Sequence, residues 1–279
     1  MRVPGRRDWP LSAHRTVLSA LTAAGFTAVL LVIPAGTGAS GTSDRLASES
    51  SGPTLPPGGQ SGSNRPFGGV AAIGALFIEH SGRLVQHFCT ASVVDSPAGD
   101  LAVSAAHCFD KGISSVVFVP GYNNGATPYG VWRVAKVYTP QAWRAMEDPD
   151  DDVAFARLAP ARDGVPVENV TGAERLGTDW ASRTYVQVIG YPNGMSQPVW
   201  CANWTDGFSP TQLQFNCGGY TFGTSGGPFL TAVSGPADEG TVIGVIGGYQ
   251  RGGYTPDISY SVSFGPTVAD LYRTAISDG

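Results

Sequence analysis

Three short motifs in the chain contain the residue types that perform nucleophilic chemistry. His107 lies in the motif SAAHC, Asp152 opens the apolar run DVAF, and Ser225 lies in GTSGGP. A serine hydroxyl is a poor nucleophile until a neighbouring base accepts its proton, and histidine is the most common such base. A carboxylate can orient the histidine and stabilise its charged form. Brought together by folding, the three side chains would form a nucleophile, a general base and an orienting acid.

Each motif by itself also has an ordinary structural explanation. A histidine beside a cysteine is more often structural than catalytic, and a glycine-rich turn needs no function. Asp148, Asp150 and Asp151 crowd the stretch before Asp152 and could instead bind calcium, which prefers several oxygen ligands. We select Asp152 because it directly precedes the apolar strand, and we interpret the other three carboxylates as a solvated loop. We therefore expect no metal site and no cofactor.

The composition of the chain predicts many turns and short strands. Of 279 residues, 38 are glycine and 21 are proline, and only 14% are charged, well below the roughly 25% that is typical of soluble domains. Ten short apolar and β-branched segments recur between turn signals. They are 70–78, 85–94, 101–105, 115–119, 131–138, 153–158, 184–189, 227–230, 241–246 and 258–264. This pattern predicts an all-β domain, either a barrel or a sandwich.

One helix is predicted, at the C-terminal end of the chain. Pro266 can open its first turn. The apolar residues that follow at spacings of three and four are Val268, Leu271, Tyr272, Ala275 and Ile276. This spacing places them on one face of a helix.

Four cysteines in a chain expected to be exported predict two disulfides, with three possible pairings. Local spacing favours Cys89 with Cys108 and Cys201 with Cys217. In the chain-entropy model, closing each of these loops contributes about 3 kcal/mol. A structural zinc site is the competing interpretation, but the sequence has no Cys-x-x-Cys arrangement.

The first 66 residues are predicted to precede the folded domain. Residues 1–39 combine a basic start, an uncharged apolar run and a small-residue end, as a secretory signal peptide does. The alternative is a membrane anchor, but the run over 17–33 is at the lower limit for a span and is diluted by threonine and glycine. Residues 40–66 are rich in Gly, Ser and Pro and are interpreted as a linker or pro-segment. We expect a secreted domain over 67–279, without stable membrane anchoring, and Arg6-Arg7 leaves the twin-arginine export route open.

The charge balance argues against two classes of partner. The whole chain carries a formal net charge of −5, and residues 1–39 contain four arginines and one aspartate, so the remainder has a net charge of −8. Proteins that bind nucleic acid or anionic membranes show basic clusters. We therefore expect neither partner.

In the order His, Asp, Ser, the three motifs resemble those of the chymotrypsin-like serine proteases. The motif HFC at 87–89, leading into SVV at 92–94, adds to the resemblance, which covers the chain from about residue 67 to residue 279. It implies two packed six-stranded antiparallel β-barrels with the active site in the cleft between them and a C-terminal helix. It also implies a protein or peptide substrate, and we expect a monomer.

The resemblance assigns a role to each motif residue. Ser225 would be the nucleophile, His107 the general acid and base, and Asp152 the carboxylate that orients the histidine. The backbone amides of Gly223 and Ser225 would form the oxyanion hole. A triad of this kind leads to hydrolysis of a peptide bond through an acyl-enzyme.

One position departs from the animal members of the family. Thr224 stands where they carry an aspartate that pairs with the new amino terminus after activation. That activation switch is therefore not expected here. With the leader and the cysteine arrangement, this departure makes the chain more similar to secreted bacterial members, including the glutamyl-endopeptidase-like branch.

The resemblance also locates the expected substrate-binding residues. Gly219 stands six residues before the predicted nucleophile, where trypsins place an acid, so a preference for Arg or Lys is not supported. Ile246, Gly247, Gly248 and Tyr249 align with the strand that pairs with substrate. Gly247 replaces a serine that usually supports the catalytic aspartate, and Tyr249 replaces a glycine and is expected to narrow the pocket. Glutamate-specific relatives often use a histidine on this wall, whereas this sequence has Ile246 at the nearest equivalent position. A small or apolar substrate side chain is therefore as plausible as glutamate.

Two other functions compete with a protease. A catalytically silent homologue would act as an extracellular binding module, and the departures at Thr224, Gly247 and Tyr249 keep that alternative open. An esterase of the α/β-hydrolase type would need its serine first and its histidine last, which is the opposite of the order in this sequence.

Overall fold

The computed structural model describes residues 62–161, 163–234 and 239–278. The signal peptide predicted over 1–39, and the predicted linker as far as residue 61, lie outside the described residues. In the described part of the chain, no helix is both long enough and apolar enough to cross a membrane.

Short strands dominate these residues. The strands are β1 (Gly62–Ser63), β2 (Arg65–Pro66), β3 (Ile73–His80), β4 (Arg83–Val93), β5 (Leu101–Ser104), β6 (Val116–Pro120), β7 (Trp132–Tyr138), β8 (Ala154–Leu158), β9 (Arg175–Leu176), β10 (Tyr185–Gly190), β11 (Val199–Gly207), β12 (Gln212–Gly218), β13 (Pro228–Ser234), β14 (Glu239–Val245) and β15 (Ile258–Val262). The helices are α1 (Gln141–Met146), α2 (Glu168–Thr171) and α3 (Pro266–Ser277), with 3-10 turns over Ala106–Phe109, Pro149–Asp151 and Tyr249–Gly252.

Six of these strands close into an antiparallel barrel, in the order β3-β4-β5-β8-β7-β6. Their inward side chains are mostly aliphatic or aromatic, and Ile73 and Phe118 are completely buried. β3 and β6 approach closely, since a Cβ on Gly74 would lie 2.2 Å from the carbonyl oxygen of Val119. Glycine at this position therefore allows the backbones of the two strands to approach.

The second half of the fold is a sheet in the order β1-β12-β11-β10-β13-β14-β9, with β15 paired to β12 and β2 paired to β11. Without its three two-residue strands, this sheet has the six strands β10 to β15. A closed six-stranded barrel followed by a second six-stranded unit agrees with the all-β, two-barrel fold expected from the sequence.

All ten predicted strands are present, with ends that shift by a few residues. The sequence analysis missed β11 and β12, because polar residues such as Asn203 and Asn216 interrupt their apolar pattern. An alternation was nevertheless available in β12, where Leu213, Phe215 and Cys217 are buried. These two strands form the hairpin that the second disulfide crosses.

The predicted C-terminal helix is confirmed as α3. Val268 and Ala275 are buried, and Leu271, Tyr272 and Ile276 pack partly buried against the same core. The Tyr272 ring meets the ring of Phe155 in β8 with centroids 5.6 Å apart. The chain thus leaves the second sheet and returns to pack on the barrel, which ties the two halves together.

Both disulfides have the pairing that local spacing favoured. Cys89 is bonded to Cys108, and Cys201 is bonded to Cys217. The first links β4 to the 3-10 turn that carries His107. The second links β11 to β12.

The paired structure begins upstream of residue 67, where the sequence analysis placed the start of the domain. β1 pairs in parallel with β12, and β2 pairs with β11. Between them, the backbone N–H of Asn64 donates to the carbonyl of Gly218 at 2.9 Å. Residues 62–66 therefore belong to the second sheet.

We predict that deleting residues 62–66 destabilises the domain. The deletion removes several backbone hydrogen bonds, each worth about 0.5–1.5 kcal/mol net, so the free energy of unfolding should fall by about 1–3 kcal/mol. Urea unfolding of chains that begin at residue 62 and at residue 67 measures the difference. Equal midpoints for the two chains would show that this segment contributes nothing to stability.

Candidate active site

A cavity of about 740 Å³ lies between the barrel and the second sheet. His107 and Cys108 line it from the barrel, and Ser225 and Ile246 line it from the sheet. Its volume falls within the roughly 300–1,000 Å³ that is usual for ligand pockets. Two of the three predicted catalytic residues therefore face one cavity.

The third residue, Asp152, lies behind the histidine and is completely buried. Its Oδ2 accepts a hydrogen bond from Nδ1 of His107 at 2.8 Å, and its Oδ1 accepts one from the backbone N–H of His107 at 2.9 Å. The backbone N–H of Gly248 donates to Oδ2, also at 2.9 Å. Burial of a carboxylate is costly unless donors replace water, and these three donors do so. They also fix the histidine so that Nε2 is left for a reacting group.

The turn that carries Ser225 depends on glycine. Gly223 and Gly226 have φ values of +97° and +79°, which disfavour any side chain. A Cβ on Gly226 would lie 2.1 Å from Oγ of Ser104, a barrel residue. The backbone N–H of Thr90 in the barrel also donates to the carbonyl of Ser225 at 2.7 Å. The serine turn is therefore held directly against the first barrel.

The backbone N–H groups of Gly223 and Ser225 indicate a candidate site for a negatively charged oxygen. Among the residues that the structure describes, neither the N–H of Gly223 nor that of Ser225 donates to a protein acceptor. Both residues line the cavity. Unused N–H groups at such a site can donate to a negatively charged oxygen.

His107 and Ser225 share the cavity without a direct hydrogen bond, so far as the described residues show. Hydrogen bonds between catalytic groups are often long in the absence of substrate and shorten in the reacting complex. The arrangement therefore brings an imidazole and a hydroxyl to the same cavity.

Thr224 is buried, and its hydroxyl donates to the carbonyl of Thr221 at 2.8 Å. A Cβ on Gly190 would lie 2.8 Å from the Cβ of Thr224, so the side chain also packs tightly against β10. These contacts stabilise the serine turn from within, without a carboxylate at this position.

Four of the five predicted substrate-binding residues divide into three groups. Ile246 lines the cavity. Gly247 and Gly248 lie against Asp152 instead. Gly219 is covered by Asn64, since a Cβ there would lie 2.7 Å from the Asn64 side-chain amide.

Tyr249 does not narrow the cavity, contrary to the expectation from the sequence. Its ring packs against Phe208 and Tyr260, with centroids 4.8 Å and 5.1 Å away, and the tyrosine is not among the residues that line the cavity. Aromatic pairs at such distances contribute about 0.5–1.5 kcal/mol beyond their buried area, which favours this position of the ring.

The sequence analysis missed several aromatic residues at the cavity. Phe222 and Tyr254 line it with 87% and 81% of their surface exposed. Tyr220 also lines it, with its hydroxyl donating to the carbonyl of Val188 at 2.7 Å, and burial raises the pKa of this phenol. The available sequence signal was an aromatic residue three positions before the predicted nucleophile, at Phe222.

Arg251 spans the rim of the cavity from the sheet to the barrel. Its guanidinium forms ion pairs with Asp110 at 2.9 Å and Glu147 at 2.6 Å. Asp110 directly follows the 3-10 turn of His107. The charges of Arg251, Asp110 and Glu147 are therefore paired with one another.

The acidic residues before Asp152 have distinct local roles. Asp148 accepts from the backbone N–H of Asp150 at 3.1 Å, and Asp150 accepts from the side chain of Gln212 at 2.8 Å. Burial, together with the charges of Asp148 and Asp150, raises the pKa of Asp151. Among the described residues, the single group of three potential metal ligands is Cys89, His107 and Cys108. Both of those cysteines are in a disulfide, which removes the thiolates that bind metals.

A closed β-barrel, a second six-stranded unit and a His–Asp pair beside a serine at one cleft define a chymotrypsin-like serine protease fold. The Trypsin family model matches residues 60–265. The chain therefore belongs to the trypsin family, and its class of activity is that of a serine endopeptidase.

Solved structures support the same fold. The protease Anisep from Arthrobacter nicotinovorans is 24% identical with a TM-score of 0.65, covering 77% of this chain and 99% of its own. The thermostable serine protease AL20 from an extremophilic microorganism is 24% identical with a TM-score of 0.63, covering 75% and 99%. A Glu endopeptidase is 14% identical with a TM-score of 0.60, covering 77% and 97%. No curated protein sequence matches the chain significantly.

We predict that two neighbouring aspartates differ sharply in their effect on activity. Asp152→Asn should lower turnover by about 10⁴, because the histidine loses its orienting acceptor. Asp151→Asn should leave turnover within about twofold. It should not lower stability, because a raised carboxyl pKa means that the charged form is less favourable in the folded protein than in the unfolded chain, and asparagine removes that charge. Peptide hydrolysis and thermal unfolding of both variants measure this, and the reverse ranking would reassign the orienting carboxylate to Asp151.

Proposed function

We propose that this chain is a secreted endopeptidase that hydrolyses peptide bonds through an acyl-enzyme. Ser225 is the nucleophile, His107 the general acid and base, and Asp152 the orienting carboxylate. The backbone amides of Gly223 and Ser225 form the oxyanion hole. The observation that carries the proposal is the buried Asp152–His107 hydrogen bond of 2.8 Å behind a cavity that Ser225 also lines.

In the first half of the reaction, Nε2 of His107 accepts the proton of the Ser225 hydroxyl while Oγ attacks the scissile carbonyl carbon. The carbonyl oxygen gains negative charge and accepts hydrogen bonds from the two free N–H groups. Each such donor is worth about 10²–10³ in turnover. The histidine then gives its proton to the leaving amine as the C–N bond breaks, which leaves an acyl group on Ser225.

In the second half, a water molecule replaces the departed amine. His107 takes a proton from that water, whose oxygen attacks the acyl carbon. Collapse of the second tetrahedral intermediate breaks the bond to Oγ, and the histidine returns the proton to the serine. The enzyme is regenerated and an acid is released, so that protons and bonds balance over the cycle.

Two features support an extracellular location. Both disulfides lie in the folded domain, and disulfides persist in oxidising compartments. Residues 1–39 are predicted from the sequence to be a signal peptide, which would be removed on export.

We propose that the residue accepted before the cleaved bond is uncharged. Tyr220, Thr221, Ile246 and Ser259 line the same cavity as Ser225, and none of them carries a charge. Arg251, Asp110 and Lys111 also line the cavity; Arg251 and Asp110 are paired with each other, and Lys111 is exposed to solvent. A charged substrate side chain packed against the uncharged residues would lose water without gaining a partner there.

The nucleophile is tested by covalent labelling. A fluorophosphonate probe should label the wild-type protein, and Ser225→Ala should lose the label while retaining its fold, because the probe needs the activated hydroxyl. Labelling is followed by intact mass and folding by circular dichroism.

The same experiment separates the protease from its rival. A folded wild-type protein that takes up no label would favour a silent homologue that acts as an extracellular binding module. Labelling that persists in Ser225→Ala would place the nucleophile at another residue.

Substrate preference is tested with a peptide library. We expect cleavage after apolar or small residues to exceed cleavage after Arg, Lys or Glu by at least about tenfold, which corresponds to about 1.4 kcal/mol of discrimination. Mass spectrometry of the products gives the profile. Preferred cleavage after glutamate or after a basic residue would contradict the proposed uncharged pocket.

A further inference from the structure

Asp152 has an unusual third partner for this fold. Gly247 lacks the hydroxyl that the family resemblance led us to expect beside the aspartate, and a Cβ there would lie only 3.1 Å from Oδ2. The backbone N–H of the next residue, Gly248, donates to Oδ2 instead, at 2.9 Å. The backbone N–H of Gly248 thus replaces the expected serine hydroxyl. Other residues must hold the Gly248 peptide in position.

Gly248 is confined by its neighbours. Its φ is +76°, and a Cβ would lie 2.3 Å from Oε1 of Gln212. Gln212 therefore packs directly against Gly248, which also donates to Asp152. Only glycine fits this conformation at so close an approach.

Gln212 is buried, with 3% of its surface exposed, at the start of β12. Its Oε1 accepts from the backbone N–H of Tyr249 at 3.1 Å. Its Nε2 donates to the carbonyl of Pro149 and to Oδ1 of Asp150, both at 2.8 Å. Its acceptor and its donor group are thus both engaged, which favours a single orientation of the amide.

The hydrogen bonds of Gln212 and of Gly248 together form a closed ring that connects the two halves of the fold. The side chain of Gln212 links the Gly248–Tyr249 segment of the sheet to the Pro149–Asp151 turn of the barrel, and that turn leads directly into Asp152. Breaking the ring at Gln212 would leave the Tyr249 N–H without its partner and would release both the turn and the segment.

We infer that Gln212 is a positioning residue for the catalytic aspartate. It holds the N–H of Gly248 on Oδ2 of Asp152, and through Asp152 it fixes the ring of His107. This inference rests on the proposed function, since it gives Asp152 the orienting role. Gln212 contacts no reacting atom and acts through the peptide and the carboxylate.

The test compares two glutamines on one strand. Gln212→Met keeps the length of the side chain and removes its hydrogen bonds. Gln214→Met makes the same change two residues further along β12, where the amide donates to Asn216 at 2.8 Å. We expect Gln212→Met to lower kcat by about tenfold to a hundredfold, the scale of a small misplacement of catalytic groups. KM should change by less than about twofold, because no substrate contact is lost.

A spectroscopic readout separates positioning from a general effect on structure. The proton between Nδ1 of His107 and Asp152 gives a low-field proton NMR signal, which should shift or exchange faster in Gln212→Met. The signal and kcat should keep their wild-type values in Gln214→Met. Unchanged kcat and signal in Gln212→Met would overturn the inference. A lower kcat with an unmoved signal would also overturn it, as would equal losses in the two variants.

If Gln212→Met does not fold, the same measurements are made on Gln212→Glu. That variant keeps the size of the side chain and an oxygen for Tyr249, but it removes the donor to Pro149 and repels Asp150. The same changes in kcat and signal are expected and would be judged in the same way.

Failure of the proposed function would be recognised separately. Fluorophosphonate labelling of the wild type tests the function, and the NMR signal tests the link from Gln212 to Asp152 without turnover. An unlabelled wild type in which Gln212→Met still moves the signal would reject the protease but retain the structural link.

Discussion

The packing of the two halves of the fold is linked to the hydrogen-bond donors that surround the buried carboxylate of Asp152. Asp152 is completely buried, and its two oxygens accept from the ring and backbone of His107 and from the backbone of Gly248. These donors come from both halves of the fold, so the carboxylate is satisfied only when the two halves are packed. The cavity, the orientation of the histidine and the place of Gln212 all follow from that requirement.

Close backbone approach is the second constraint, and it explains much of the glycine content. At Gly226 a Cβ would meet Ser104 of the barrel, and at Gly223 it would lie 2.5 Å from the carbonyl of Tyr191. Both glycines also have positive φ. The serine turn can therefore press against its neighbours, while the N–H groups of Gly223 and Ser225 find no protein acceptor among the described residues. The turn is stabilised by its neighbours and, from within, by the hydrogen bond of Thr224 to Thr221.

The rim of the cavity combines exposed aromatic surface with neutralised charge. Phe222 and Tyr254 offer apolar area to a substrate, while Arg251 is occupied by Asp110 and Glu147. Surface ion pairs of this kind contribute little to stability, but they pair the charge of Arg251 within the protein. The exposed surface that Phe222 and Tyr254 add to the cavity is largely apolar.

The sequence alone determined the strands with strong apolar character, the terminal helix, the disulfide pairing and the motifs of His107, Asp152 and Ser225. Each of these leaves a local signal in periodicity, spacing or residue type. The β11–β12 hairpin was missed because its polar residues weaken that signal, although Leu213, Phe215 and Cys217 alternate. Only the tertiary structure decided that Tyr249 turns to Phe208 and Tyr260, and that Gln212 lies beside Gly248. Those contacts join residues far apart in the chain, and the choice among them depends on packing and hydrogen-bond partners that exist only after folding.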